Sequence, residues 1–161
     1  MPHHAETRRL PYTPAQVYAL VADIGRYAEF LPWVQGMRIL KTEGNVVTAD
    51  MIVGFKMVRE RFTSRVTLSP ETRVHVDYLS GPLKYLHNDW VFRPAPDGAC
   101  DIDFSVDFEF RNRMFERLAG MFFQDAFRRM VGAFEARAAA IYGVPTPVAS
   151  GISSSSATSA A

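Results

Sequence analysis

A single cysteine, Cys100, occurs in the 161 residues, so no internal disulfide can hold the chain and a reducing compartment is expected. Its place beside Asp101 in an alternating segment marks it as packing rather than nucleophile. No apolar run approaches the ~20 residues of a membrane-spanning helix, and the N-terminus lacks the apolar core of a signal peptide. The expectation is a soluble, cytoplasmic protein that at most visits a membrane surface. An excess of charge is missing as well: Lys and Arg total 18 against 17 Asp and Glu, a formal net charge of +1. That removes the polyelectrolyte signature of a nucleic-acid binder, and no DNA partner is expected. Locally, residues 111–142 carry six arginines against three acids. Such a surplus suits a solvated helix face, and it equally suits an anionic membrane or an RNA backbone.

Catalytic signatures are absent too. There is no GxSxG, Walker or GxGxxG pattern. Asp103, Asp107 and Glu109 alternate with apolar residues and so face water, whereas paired-carboxylate catalysis needs a desolvated cleft. His75 with Asp77, and His87 with Asp89, are each two apart, hence on one strand face. No Cys/His cluster completes a metal site around them. No catalytic residue and no metal ligand is therefore assigned. Glu60 and Arg61, beside Phe62, leave one residue free to point inward at a polar ligand head.

What the chain has is pattern. At 48% apolar and 22% charged it can bury one real core, with residues 1–143 as a single domain. Residues 144–161, rich in Ser, Ala and Pro, read as a disordered tail. Residues 3–10 read as a first strand. Thr13 then caps a short helix with Pro14 at its first position and Gln16 three residues after the cap. A second short helical turn follows and stops at Pro32. Six segments of period two come next, beginning near residues 37, 45, 56, 73, 86 and 100, divided by Gly, Pro and Asn turns. The last is the cleanest, with Ile102, Phe104, Val106, Phe108 and Phe110 on one side. Spacing near ten residues with tight turns predicts an antiparallel meander. From Arg113 to Ile141 the period changes to helical, with Gly120 and Gly132 inside, tolerated through a kink, a close backbone approach or chance. The fold class is α+β: a curved antiparallel sheet with two short helices wrapped around a long C-terminal helix.

A bent sheet and a nearly straight helix part company somewhere, which leaves an apolar cavity between them. Residues 27–36, YAEFLPWVQG, gather aromatic surface where a helical pattern ends. They read as core filler, a membrane-touching wedge, or the lip of that cavity. Phe30, Leu31, Trp33, Phe55 and Met57 are grouped as a mobile mouth. Leu83, Leu86 and Trp90 stand beside the Gly81-Pro82 bend; Val66, Phe104, Val106 and Phe108 lie on sheet positions. Phe115, Leu118, Phe122, Phe123, Phe127 and Met130 form the apolar stripe of the last helix. Together these are the candidate ligand-binding residues. Met114 and Met121 extend apolar cover around the start of that helix beyond what a one-sided core needs.

YAEFLPWV at 27–34, GFKMVRERFTSRV at 54–66, GPLKYLHNDWVF at 81–92, DFSVDFEFRNRMF at 103–115 and AFEARAAAIYG at 133–143 resemble the coenzyme Q-binding protein family. Its bacterial relatives include the ribosome-association toxins. The wider group is the START-like, helix-grip superfamily, with polyketide cyclases and Bet v-type allergens. Ala28 and Val34 depart from the family pattern, which often has proline and cysteine there. The resemblance implies a helix-grip fold and no enzymatic activity. It implies binding of ubiquinone or a similar isoprenoid lipid, in support of respiratory electron transport. Expected partners are the quinone, a transient membrane surface at the inner membrane, and respiratory complexes. One alternative is binding to the large ribosomal subunit with a block of translation initiation. Another is a cyclase or dehydratase, which needs an inward acid or base among Glu60, His87 and Asp89.

Overall fold

The computed structural model describes residues 3–55 and 58–143. The expected tail at 144–161, Met57 and the side chain of Phe55 lie outside the described residues. The chain runs β1 (His3–Leu10), α1 (Pro14–Ala22), a 3-10 helix (Ile24–Glu29), β2 (Val34–Glu43), β3 (Val46–Phe55), β4 (Val58–Ser69), β5 (Arg73–Ser80), β6 (Leu83–Ala95), β7 (Ala99–Phe110) and α2 (Arg113–Tyr142). All seven strands form one antiparallel sheet in the order β1-β7-β6-β5-β4-β3-β2. Strands β2 to β7 are an unbroken meander. Strand β1 joins its far edge, so α1 and the 3-10 helix carry the chain from one edge of the sheet to the other. Register shifts in β2 against β3, β4 against β5 and β6 against β7 mark irregularities of the bulge kind, which bend a sheet. The helix-grip class expected from the sequence is the observed architecture.

Local chemistry sets the element ends. Thr13 Oγ1 accepts from the Gln16 amide at 3.1 Å while Gln16 Oε1 accepts from the Thr13 amide at 2.9 Å, a reciprocal capping box. Asn112 caps α2 by accepting from the Met114 amide at 2.8 Å. Glu116 then reaches back to accept from the Phe110 amide at 2.8 Å, tying the end of β7 to the first turn of the helix. Two strands start earlier than the pattern suggested. Val34–Gly36 and Leu83–Tyr85 belong to β2 and β6, because Trp33 and Gly81 turn the chain at positive φ (62° and 145°) just before them. A Cβ on Gly81 would meet the Arg61 carbonyl oxygen at 2.8 Å, so only glycine fits that bend. At Gly120 and Gly132 an added Cβ would meet nothing within 4 Å, which excludes the close backbone approach considered for them.

The sheet sorts its faces by alternation. The convex face is polar and ion-paired: Arg9 with Asp101 at 2.7 Å, Arg93 with Asp103 at 2.7 Å, Arg73 with Asp89 at 2.7 Å and Lys84 with Glu109 at 2.8 Å. The concave face meets the helices. Leu10, Val17, Val21, Val74, Phe92, Cys100, Ile102, Phe104, Phe127, Phe134 and Ala138 form one buried cluster there. Cys100 is fully buried, and burial raises its thiol pKa, in keeping with a packing role.

Phe134 is the keystone of that cluster, with ring centroids 5.2 Å from Phe30, 5.4 Å from Trp90 and 5.7 Å from Tyr27. Phe134→Ala is expected to lower unfolding free energy by about 3–5 kcal/mol, read as a shift of the urea midpoint at constant slope. On the convex face, the Arg93 guanidinium and the Thr7 hydroxyl hold the Asp103 carboxyl down to about 2. Because the folded value is depressed from 3.8, its stabilisation is whole above that value and fades as pH falls toward 2. Asp103→Asn should cost about 0.5 kcal/mol at neutral pH. The difference from the parent protein should shrink as pH falls from about 4 through 2 in acid-titrated denaturation.

Candidate ligand cavity

Helix α2 does not lie on the sheet evenly. Its C-terminal half is seated by Phe134, by Phe127 (5.2 Å from Phe104) and by the Tyr142 hydroxyl, which donates to the Gln16 carbonyl at 2.9 Å. Its N-terminal half springs directly from the end of β7, so helix and sheet diverge from a shared corner. On the β7 side the gap is closed by ring contacts, Phe110 with Phe115 at 5.8 Å and Phe108 with Phe123 at 5.7 Å. Toward β3 and β4 a cavity of about 230 Å3 remains. It is lined by Trp33, Val53, Glu60, Phe62, Phe108, Phe110, Phe115, Leu118, Phe122, Phe123 and Ala126.

The size decides what fits. A dry apolar void of roughly 150 Å3 accepts a benzene ring, so this one admits a substituted six-membered ring or a pair of prenyl-sized groups. A long tail would have to leave through the open side. A second void, of about 40 Å3, lies deeper along α2 between Trp90, Phe104, Phe127 and Met130 and the β1 edge. It is the size of one or two water molecules.

Six of the residues singled out in the sequence line the larger cavity: Trp33, Phe108, Phe115, Leu118, Phe122 and Phe123. Trp90, Phe104, Phe127 and Met130 line the smaller one. Phe30 and Leu31 are half-buried and pack on the core cluster beneath the 3-10 helix. Val66 and Leu83 are buried at 5% and 1% exposure. Leu86 and Val106 are half-buried sheet positions that line neither void. Phe55 ends β3, and its side chain is outside the described residues.

Val53, Phe62, Phe110 and Ala126 complete the cavity wall without having been named as ligand residues. A signal existed for three of them. Phe110 continues the alternation of Phe104 and Phe108, Phe62 shares parity with Val66, and Val53 continues the alternation of Val47, Ala49 and Met51. Ala126 carried none, since a small residue on a helix face is silent about what faces it.

The electrostatics of the cavity reduce to one group. Glu60 is the sole ionisable residue in the lining. Its neighbours Arg59 and Arg61 alternate to the opposite face of β4, where Arg61 approaches Asp50 at 4.0 Å. Among the described residues no hydrogen bond or ion pair reaches the Glu60 carboxyl. His87 and Asp89 lie on the convex face, where Asp89 binds Arg73 and His75 Nδ1 sits 3.2 Å from Asp89 Oδ1. The sheet thus separates Glu60 from the other acid and base candidates. Among the described residues no group of three or more His, Cys, Asp or Glu is placed to hold a metal ion. Among the same residues no helix is long and apolar enough to cross a membrane.

A bent seven-stranded sheet gripping a long helix over an apolar void defines a START-type protein. The chain belongs to the polyketide cyclase/dehydrase and lipid transport family, which matches residues 10–135. The aromatase/cyclase Zhui of Streptomyces sp. R1128 shares the fold at TM-score 0.78 and 16% identity, over 94% of this chain and 98% of that one. Within the family it is of the RatA and COQ10 kind. It is 36% identical over 142 residues to the ribosome association toxin RatA of Escherichia coli K12, covering 88% of this chain and 90% of that protein. It is 35% identical over 144 residues to the mitochondrial coenzyme Q-binding protein COQ10 homolog B of Xenopus laevis, covering 87% of this chain and 59% of that one. The solution structure of the 18 kDa protein CC1736 from Caulobacter crescentus aligns at 36% identity and TM-score 0.73, over 89% and 100% of the two chains. RatA is named for ribosome association and toxicity and the COQ10 homolog for coenzyme Q binding, while Zhui, which shares the fold, is named an aromatase/cyclase.

Ala126 offers a test of the void itself. Enlarging a side chain in a filled core costs about 1–3 kcal/mol. Ala126→Leu should instead be neutral or stabilising by up to about 1 kcal/mol in thermal or urea unfolding.

Proposed function

We propose that this protein binds an isoprenoid quinone, ubiquinone or a close relative, in the cavity beneath α2, and delivers or chaperones it for respiratory complexes without catalysing a reaction on it. The observation that carries the reading is a ring-sized, almost wholly apolar cavity with one carboxylate in its wall. The likeness to a protein named as coenzyme Q-binding supports the same ligand class. A quinone head with its first prenyl units would remove on the order of 500 Å2 of ligand and wall from water, worth about 12 kcal/mol gross at 25 cal/mol per Å2. Association and ordering consume several kcal/mol of this, which leaves binding in the micromolar range.

A membrane lipid has to be fetched from a membrane. Met114 and Met121, 67% and 71% exposed, share the outer stripe of α2 with Arg113 and Arg117 beside the cavity. Thioether side chains between cations suit shallow contact with an anionic bilayer at the inner membrane. A carrier that visits that surface from the cytoplasm needs no membrane-spanning helix.

A second reading rests on the 36% identity to a ribosome association toxin. The same arginine-bearing face would then meet ribosomal RNA, with binding that falls steeply as salt rises. Cosedimentation with the large subunit at low salt separates this role from lipid carriage. An enzymatic role in the larger cavity would have to work with Glu60 as the single acid or base of its lining, and a lone carboxylate provides no second group for proton relay.

The test is organic extraction of the purified protein followed by mass spectrometry, with titration of added short-chain quinone. A prenylated quinone in the extract, micromolar binding, and at least tenfold weaker binding in Leu118→Trp are expected. Protein that carries no lipid and fails to bind added quinone would remove the proposal.

A further inference from the structure

We infer that Glu60 makes the cavity selective for the reduced, hydroxyl-bearing form of a ring ligand over its oxidised form. The inference rests on the quinone-binding reading above and deepens it by naming the redox state that is carried.

The placement of Glu60 follows from the sheet. In β4 the side chains of Glu60 and Phe62 face α2, and register sets Glu60 opposite Val53. Across the void stand Phe115, Leu118 and Phe122 of α2. Glu60 is half-buried, and among the described residues no donor reaches its carboxyl group, which leaves that place to water or to a ligand. What it lacks, a ligand can supply.

Hydrogen-bond polarity then selects the ligand. An ionised carboxylate only accepts. The ring of a benzoquinone presents two carbonyl oxygens, which also only accept, so quinone and Glu60 face each other as repelling lone pairs. The quinol form of the same ring carries two O–H groups, each a donor. A hydroxyl donating to a carboxylate is a charge-assisted bond, short and stronger than a neutral one. Ring, methoxy groups and tail are unchanged between the two forms, so their apolar burial cancels in the comparison. The difference in affinity is set by the polar contact, and in this cavity the polar contact is Glu60. No electron moves at the site; the ligand arrives already reduced.

Selection of this sign has a thermodynamic consequence. A ligand held more tightly in its reduced form has its midpoint potential raised. For a two-electron couple each tenfold preference corresponds to about 30 mV. Bound ligand is accordingly protected from reoxidation relative to the free pool.

The experiment is an anaerobic calorimetric titration of the whole protein with a decyl-substituted benzoquinone and with its quinol. The parent protein should bind the quinol at least tenfold more tightly. Glu60→Gln, whose amide can donate to a quinone carbonyl, should bring the two affinities within about threefold. Glu60→Asp, which keeps the carboxylate, should retain a preference for quinol. Equal binding of both forms by the parent protein, or an unchanged ratio in Glu60→Gln, would overturn the inference while leaving quinone binding in place. Binding of neither form would overturn the quinone reading itself.

Discussion

Phe134 seats the C-terminal half of α2 against Phe30, Tyr27 and Trp90, and the rest of the molecule depends on that anchorage being one-sided. A helix of 30 residues is about 45 Å long and nearly straight. The sheet beneath it is curved. If aromatic packing fixes one half of the helix, the other half must separate from the sheet unless large side chains fill the wedge. On the β7 side Phe108, Phe110, Phe115 and Phe123 do fill it. Toward β3 and β4 the walls are Val53, Glu60 and Phe62 on the sheet and Leu118, Phe122 and Ala126 on the helix, which do not close the wedge, and the void is the result.

The same division runs through the electrostatics. The convex face takes the charge of the strands in arginine–carboxylate pairs, which are worth little individually but leave the outer surface wet and self-complementary. Most of the concave face is apolar and aromatic, with His4, Glu6 and Arg8 kept to the β1 edge, so that the single carboxylate lining the larger cavity has outsized influence on what can bind there. The family to which the chain belongs includes proteins named for lipid transport, cyclisation, quinone binding and ribosome association. A shared fold does not decide among such uses, so the wall residues of this chain's own cavity carry the argument.

Much of the architecture was legible because alternation and helical period are strong signals. Seven strands, the Thr13 cap and the long helix over residues 113–142 follow from them directly. What the period does not encode is distance between elements. Phe127 and Phe115 sit in the same apolar stripe, yet one is buried in the core and the other faces a void; the stripe alone cannot tell them apart. Val66 and Leu83 share a face with cavity residues and are buried in packing because they lie outside the wedge. Ala126 was invisible for the opposite reason, since a small side chain marks a void only when its opposite wall is known. Glu60 and Arg61 were both open as the inward residue of β4, and the observed cavity lining selects Glu60. Its isolation from His87 and Asp89 required the register of β4, β5 and β6.

The most direct measurement is xenon binding followed by NMR of the ligand-free protein. Dissolved xenon partitions into dry apolar voids larger than itself. The account predicts saturable shifts at the methyl groups of Val53 and Leu118 and the rings of Phe62 and Phe122, with the packed residues Val17, Val21 and Val74 unmoved. Shifts that are uniformly small, or confined to surface methyls, would mean that α2 rests on the sheet along its whole length and that there is no hollow for a ligand to enter.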